Sequence, residues 1–369
     1  MFTCLLRQSM SKRLPTLLSS LLCLVALCIA LSSCQFAAFP QASTPAPSVT
    51  PISTNLKEKG AHELQIMQHA ITQLKSAGKQ TNAYQQQYNH DQRALQQART
   101  APTYQAALNT TTTDAQKIEL PAIKAEIGTL QQQLQTEDSE WESGHLYHDT
   151  YNNITYKMGF EYDNQTGIGT WIQDSLSTAS TIADYQQIVD NTNMYLTNFN
   201  AMTINVSDPT PYNQVHQSDL HLINTYQKTN DEVLVVSLSE QAIRVYDHNT
   251  LIKAFYITTG QPNKPSPPGS WWIESHQKNI IFKSSDPKSS PYWYPDTPIH
   301  YAMQYHSDGY FIHDSWWRAE YGPNTQFPHQ DSTGDTSADV GSHGCINMSL
   351  TDAQWVYNYV RLYTDVIVY

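Results

Sequence analysis

From residue 231 to Tyr369 the chain consists of short β-branched and aromatic runs broken by turn residues, and this restricts that part to a mainly β fold. Val233-Leu234-Val235-Val236-Ser237-Leu238 is one such run, residues 241–246 alternate, and Asp247-His248-Asn249 marks a turn before a third run at 253–260. Three runs joined by short turns predict a meander. Pro267-Pro268-Gly269 turns the chain into residues 270–273, and further strands are expected at 299–305 and 310–313. Helical spacing returns only at 350–362, behind Ser349 or Thr351 as N-cap, before a last strand at 365–369.

Upstream the period changes. Leu64, Met67, Ile71 and Leu74 step by three and four, as do Leu120, Ile123, Ile127, Leu130 and Leu134. Ile182, Tyr185, Val189, Leu196, Phe199 and Met202 form a third stripe. Residues 55–205 therefore read as a helical bundle or coiled-coil region, with breaks expected at 109–113 and 159–169 and Pro121 in a first turn. The region carries no catalytic signature. It reads either as a spacer or arm for an unknown protein partner, or as a scaffold. Ser207-Asp208-Pro209-Thr210-Pro211 opens a linker at 206–230, with a short helical piece at 217–228. The fold class is thus α+β multidomain: an all-α region, then a mainly β domain over 231–369.

The first 34 residues read as an address. Met10-Ser11-Lys12-Arg13 is basic, residues 17–31 are apolar, and Leu31-Ser32-Ser33-Cys34 resembles the bacterial lipobox. That resemblance implies lipidation at Cys34, an extracytoplasmic location and a lipid anchor in the membrane. Residues 35–54, rich in Pro, Ser, Thr and Ala, read as a flexible linker. Of five cysteines, Cys4, Cys23 and Cys28 fall in the address and Cys34 is the lipid site, so Cys345 alone remains in the exported body. It has no internal disulfide partner, and an isolated thiol in an oxidising compartment is a liability unless it reacts or is buried. The formal net charge of -12, with no basic cluster, excludes a nucleic-acid partner.

Cys345 sits in Gly341-Ser342-His343-Gly344-Cys345-Ile346-Asn347. A nucleophilic thiol needs a base, amide donors aimed at a developing oxyanion, and a backbone free to present them. Gly344 permits close approach of the main chain, and Ser342 and Asn347 are small polar residues that can fix the loop. His313, at the end of a strand and expected at the sheet's rim, is the candidate base. His329 is nearer in sequence but has no strand before it.

Ser-His-Gly-Cys-Ile-Asn, an upstream Ile-His and a downstream Gln-Trp helix resemble the L,D-transpeptidase catalytic (YkuD-like) domain. The strand blocks from residue 231, then Thr-Thr-Gly-Gln-Pro and Pro-Pro-Gly-Ser-Trp-Trp-Ile, follow in that family's order. The resemblance implies peptidoglycan stem peptides as substrate, a Cys345 thioester formed with release of a terminal D-alanine, and resolution by an amine of a neighbouring stem. It implies His313 as base, Asp314 orienting it through its backbone carbonyl, and His343 and Gly344 shaping the catalytic loop. Substrate contacts fall to Tyr294, Ser342, Asn347 and Trp316. An oxyanion-assisting hydroxyl is left open among Tyr292, Tyr294 and Tyr301. The stretch between His313 and Ser342 is longer than usual for the family and is expected to cover the site as a lid. The family's usual Thr-Pro-Thr-Gly turn appears as Ser-Pro-Pro-Gly.

Other readings compete. His300, His306, His313, His329 and His343 crowd the same region, but their spacings send them to different faces, so no metal ligands and no cofactor are expected. An L,D-carboxypeptidase differs only in using water as acceptor, and a wall-binding lipoprotein without catalysis is the non-enzymatic alternative.

Overall fold

The computed structural model describes residues 51–369, so the address, Cys34 and most of the 35–54 linker lie outside the described residues. Among the described residues no helix is long and apolar enough to cross a membrane.

The N-terminal region is helical. Helix α1 (Thr54–Ser76) is capped by Ser53, α2 (Asn82–Gln97) follows, and α3 (Ala101–Glu142) starts in a capping box of Thr100 and Thr103. Two expectations fail in α3. It runs unbroken through 109–113, and Pro121 lies in its interior. The threonines that argued for a break satisfy themselves locally: Thr110, Thr111 and Thr113 donate to Ala106, Ala107 and Asn109 carbonyls at 2.9–3.3 Å. Pro121 forfeits one backbone bond, but its neighbours Ile118 and Ala122 are buried against Met67, Ile71 and Leu74 of α1, and Ile123 and Ile127 pack towards later helices. Packing on both sides offsets the local defect.

Near 159–169 the helical path does break. A hairpin, β1 (Leu146–Asp149) and β2 (Ile154–Lys157), and a single 3-10 turn at Phe160–Tyr162 separate α3 from α4 (Ile168–Thr178) and α5 (Ile182–Asn205). The hairpin was not anticipated; its strands are four residues long and largely exposed, too short for a periodic signal. Helix α6 (Gln217–Thr225) lies in the 206–230 connection, where His216, Ser218 and Asp219 are buried.

The C-terminal part is mainly β. Strands β3 (Glu232–Ser237), β4 (Ala242–Asp247), β5 (Thr250–Tyr256), β6 (Gly269–Trp272) and the final β11 (Asp365–Val368) form a sheet ordered β5-β4-β3-β11-β6. The first three make the expected meander, and β11 inserts parallel to β3. A second sheet, ordered β10-β9-β8-β7, contains β7 (Ser275–Phe282), β8 (Thr297–His306), β9 (Tyr310–Asp314) and β10 (Ile346–Met348). Helix α7 (Leu350–Tyr359), capped by Ser349, leads into β11.

The unbroken apolar character of β3 now has a cause. Leu234 and Val236 face a core shared with β8, β9, β10 and α7, whereas Val233 and Val235, with Tyr246, Ile367 and Tyr369, pack against α5 and α6. A strand buried on both faces loses polar alternation. At the helical interface a fully buried Arg244 pairs with Asp219 at 2.5 Å and donates to the Tyr369 hydroxyl at 2.9 Å.

Candidate functional site

The parallel pairing of β9 with β10 sets the site. Its register places Ile346 opposite Ile312, Asn347 opposite His313 and Met348 opposite Asp314. Side chains alternate along a strand. Ile312, Ile346 and Met348 therefore enter the core, while His313, Asn347 and, one step earlier, Cys345 share the opposite face. This face lines a cavity of about 560 Å³, where His313, Asn347 and Cys345 meet Tyr294, Trp316 and His343.

The loop before the cysteine is laced to the chain that follows β5. Thr258 and Asn347 exchange main-chain bonds at 2.9 and 2.8 Å; Ser342 N–H donates to the Thr259 carbonyl at 2.9 Å, and Gln261 N–H donates back to Ser342 at 3.0 Å. Gly344 has φ +107, a conformation costly for any other residue, and a Cβ there would overlap the Tyr310 ring. Ser266 of the Ser-Pro-Pro-Gly turn donates to the Gly344 carbonyl at 2.7 Å, a contact nothing in the sequence pattern signalled. Ser342 Oγ accepts from Gly344 N–H at 3.0 Å and donates to the Cys345 carbonyl at 2.5 Å. The Ser342 hydroxyl is thus spent within the turn rather than offered to a ligand, and the Gly344 amide is occupied as well.

His313 is buried, inside the sheet between β8 and β10 rather than at its rim. Its Nδ1 lies 2.8 Å from the Asp314 carbonyl. A carbonyl only accepts, so Nδ1 carries the proton and Nε2 presents a lone pair. Asn347 Nδ2 donates to that Nε2 at 3.2 Å. The Asp314 carboxylate acts elsewhere, accepting from His300 N–H at 2.8 Å and Tyr301 N–H at 2.7 Å and so bracing β8. Burial holds His313 below its ordinary value of 6.5, so it is neutral at neutral pH.

Cys345 is a half-buried free thiol. Burial pushes it up to about 11, against which a main-chain hydrogen bond from Phe311 works only in part. Burial thus favours the neutral form of both groups, the thiol being raised and the imidazole lowered.

Among the tyrosines, Tyr294 lines the cavity, its ring 5.3 Å from that of His343, and Tyr292 stands at 6.2 Å from the same ring. Burial first, then the nearby Cys345, raises Tyr294 above 10.0. Tyr301 does not join them; its ring packs on Tyr357 of α7. Trp316 forms an exposed wall of the cavity, its Nε1–H donating to the Pro298 carbonyl at 2.9 Å. His329 is not among the lining residues, and its Nδ1 is engaged with the Phe327 carbonyl.

The stretch expected as a lid lines the cavity through Trp316, Trp317, Arg318 and residues 335–337, and internal bonds hold it together. Buried Arg318 donates to the Ala338 and Val340 carbonyls at 2.7 and 2.6 Å. Asp331 accepts from Glu320 N–H at 3.0 Å and Thr333 N–H at 2.8 Å. Phe327 is fully buried between Tyr147 and Tyr156 of the hairpin and Phe160, with ring centroids at 4.6–5.7 Å.

Residues 231–368 match the family model of the L,D-transpeptidase catalytic domain, YkuD. L,D-transpeptidase 2 of Mycobacterium tuberculosis is 28% identical over 143 residues, covering 38% of this chain and 31% of that protein. Probable L,D-transpeptidase 3 of the same species is 30% identical over 112 residues, 30% of this chain and 36% of its own length. The chain thus spans about a third of the length of these relatives. The catalytic domain of the Enterococcus faecium L,D-transpeptidase is 27% identical in sequence, with 38% of this chain and 98% of that chain covered at a TM-score of 0.31. The order of strands, the cysteine loop and the family match coincide over one stretch, and by that match residues 231–368 belong to the L,D-transpeptidase catalytic-domain family.

Proposed function

We propose that the chain is a peptidoglycan L,D-transpeptidase, an acyltransferase that works through a thioester on Cys345. The observation that carries this reading is the shared face of Cys345, His313 and Asn347 in one cavity, with the His313 tautomer set by the Asp314 carbonyl.

In this reading a donor stem peptide lies along the Trp316 and Tyr294 side of the cavity. Sγ attacks the carbonyl of the third stem residue as His313 Nε2 takes the thiol proton, with the Asn347 amide yielding its place on that nitrogen. The developing oxyanion is met by the Cys345 N–H, since the Gly344 N–H is already engaged, and by the Tyr294 hydroxyl once it turns from the Lys283 carbonyl 3.3 Å away. Collapse breaks the C–N bond; the imidazolium returns its proton to the departing D-alanine amine. An amine from a second stem then attacks the thioester, gives its proton to His313 and releases the thiol, leaving a new amide cross-link. Water in place of the amine would make the enzyme an L,D-carboxypeptidase.

The same proposal places the chain outside the cytoplasm, tethered through lipidated Cys34 and residues 35–54, with 55–205 as the helical region, 206–230 as the connection and 231–369 as the catalytic domain. Incubating the full chain with disaccharide-tetrapeptides and separating the products tests it. Cross-linked dimers with loss of D-alanine, absent with Cys345→Ala, are expected. Tripeptides without dimers would assign hydrolysis instead, and unchanged substrate would remove the enzymatic reading.

A further inference from the structure

A second polar cluster lies far along the chain from Cys345, where the end of α3 meets the hairpin. Asp138 and Glu142 are four residues apart on α3 and so lie on one helix face; Asp163 reaches them from the turn after Tyr162. One ligand-capable oxygen from each lies within 4.8 Å of the others. Like charges at this helical spacing destabilise a helix unless something compensates them. Lys157 does so in part, 2.5 Å from Glu142 Oε2, leaving three carboxylates against one ammonium.

The cluster is also buried and incompletely satisfied. Asp138 is 4% exposed, and its Oδ1 has no hydrogen-bond partner; Glu142 is 2% exposed, and its Oε1 has none. The hydroxyl of Tyr162, 1% exposed and in the turn just before Asp163, is likewise unpartnered. Unpaired buried carboxylate oxygens are costly, and the usual compensations are a proton, a counter-charge or a coordinated ion; here burial, then Glu142, pushes Asp138 up to about 8. Asp163 is held in place by Gln165 and Thr166 N–H donors at 2.6 and 2.9 Å.

We propose that Asp138, Glu142 and Asp163 bind a hard divalent cation, calcium, that clamps the end of α3 to the segment following the hairpin. The donor set is all oxygen, which suits calcium or magnesium and not zinc or copper, and the irregular turn suits calcium's tolerant geometry. The bound charge would balance the two carboxylates that Lys157 leaves uncompensated. Asp163 lies 21 residues beyond Glu142, so no motif signalled the site, and the sequence pattern gave no reason to expect a metal. The hairpin whose Lys157 contributes here also carries Tyr147 and Tyr156, which grip Phe327 of the cavity wall.

The full chain, stripped with chelator, is titrated with calcium and followed by thermal unfolding and by terbium luminescence, with Trp141 and Tyr162 as the nearby sensitisers. A saturable rise in Tm of about 4 °C at millimolar calcium is expected, with terbium emission that calcium displaces. Both responses should be lost in Asp138→Asn and in Glu142→Gln. No calcium response in the wild-type chain overturns the proposal. So does an Asp138→Asn chain that is simply more stable in the absence of metal while the wild type ignores calcium, because the cluster is then relieved by a proton. A response that survives both substitutions places the ion elsewhere and overturns it equally.

Discussion

At the scale of residues, the proposed pair of Cys345 and His313 is set by desolvation as much as by the strand face they share. A thiol raised to about 11 beside an imidazole lowered below 6.5 is a neutral pair through the physiological range. A lowered histidine stays unprotonated until the pH falls below its ordinary value. Acylation should therefore be level above about pH 6.5 and decline only on the acid side as His313 gains its proton. A pH profile of single-turnover acylation checks this, and a limb rising towards pH 11 would mean instead that free thiolate is the reactant. His313→Gln should lower the acylation rate by roughly 10²–10⁴-fold while leaving the melting temperature close to wild type. Iodoacetamide, which lacks a carbonyl for the loop to polarise, should alkylate Cys345 slowly at pH 7 and faster with rising pH.

Residue identities at this scale were legible in part. The lone cysteine, its glycine and the histidine at a strand end stood out in the sequence, because each has few roles outside chemistry in such a setting. What the sequence could not show was how the loop spends its polar groups. The Gly344 amide donates to the Ser342 hydroxyl, which donates in turn to the Cys345 carbonyl, and only the folded turn shows that both are engaged.

At the scale of elements, the strands with β-branched cores were readable, and the missed ones share a cause. β10 is three residues long, and β7 has no fully buried residue, with Asn279 at φ 53 interrupting its ladder. Neither length nor alternation betrays such strands. The threonine run in α3 erred the other way, since its low helix propensity was overridden by burial of Thr111 and by hydroxyl bonds to the preceding turn. The polar stretch after His313 lines the cavity, and the sequence did not show that Arg318 and Phe327 anchor it from within. Phe327→Ala should cost about 3–5 kcal/mol in denaturant unfolding and slow acylation through the loosened wall. Unfolding unchanged from wild type would mean that the hairpin does not support the site. Arg318→Lys should also weaken it, since one ammonium cannot replace a planar fork that reaches two carbonyls.

At the scale of the whole molecule, the helical region and the five-stranded sheet share a core. Val233, Val235, Tyr246, Ile367 and Tyr369 would be bare without α5 and α6. A fragment of residues 231–369 alone should accordingly aggregate or unfold well below the full chain, whereas residues 51–369 should remain soluble; analytical ultracentrifugation of both checks this. Asp219→Asn should destabilise the full chain by about 3–5 kcal/mol, since Arg244 would keep its buried charge without its closest partner. The helical stripes announced an apolar face, but periodicity alone cannot tell whether that face meets another helix, a sheet or a separate protein. In the folded chain the stripes on α3 and α5 share one core with the sheet, while the α1 stripe packs against Ala115, Ile118 and Ala122 of α3.

The central claim is acylation of Cys345 through His313. Intact-mass spectrometry of the full chain after exposure to a carbapenem, whose strained lactam carbonyl is an acyl donor, tests it most directly. The account predicts one adduct per chain, mapped to Cys345, formed far more slowly in His313→Gln and absent in Cys345→Ala. An unmodified wild-type chain, or the same adduct persisting in Cys345→Ala, would contradict it.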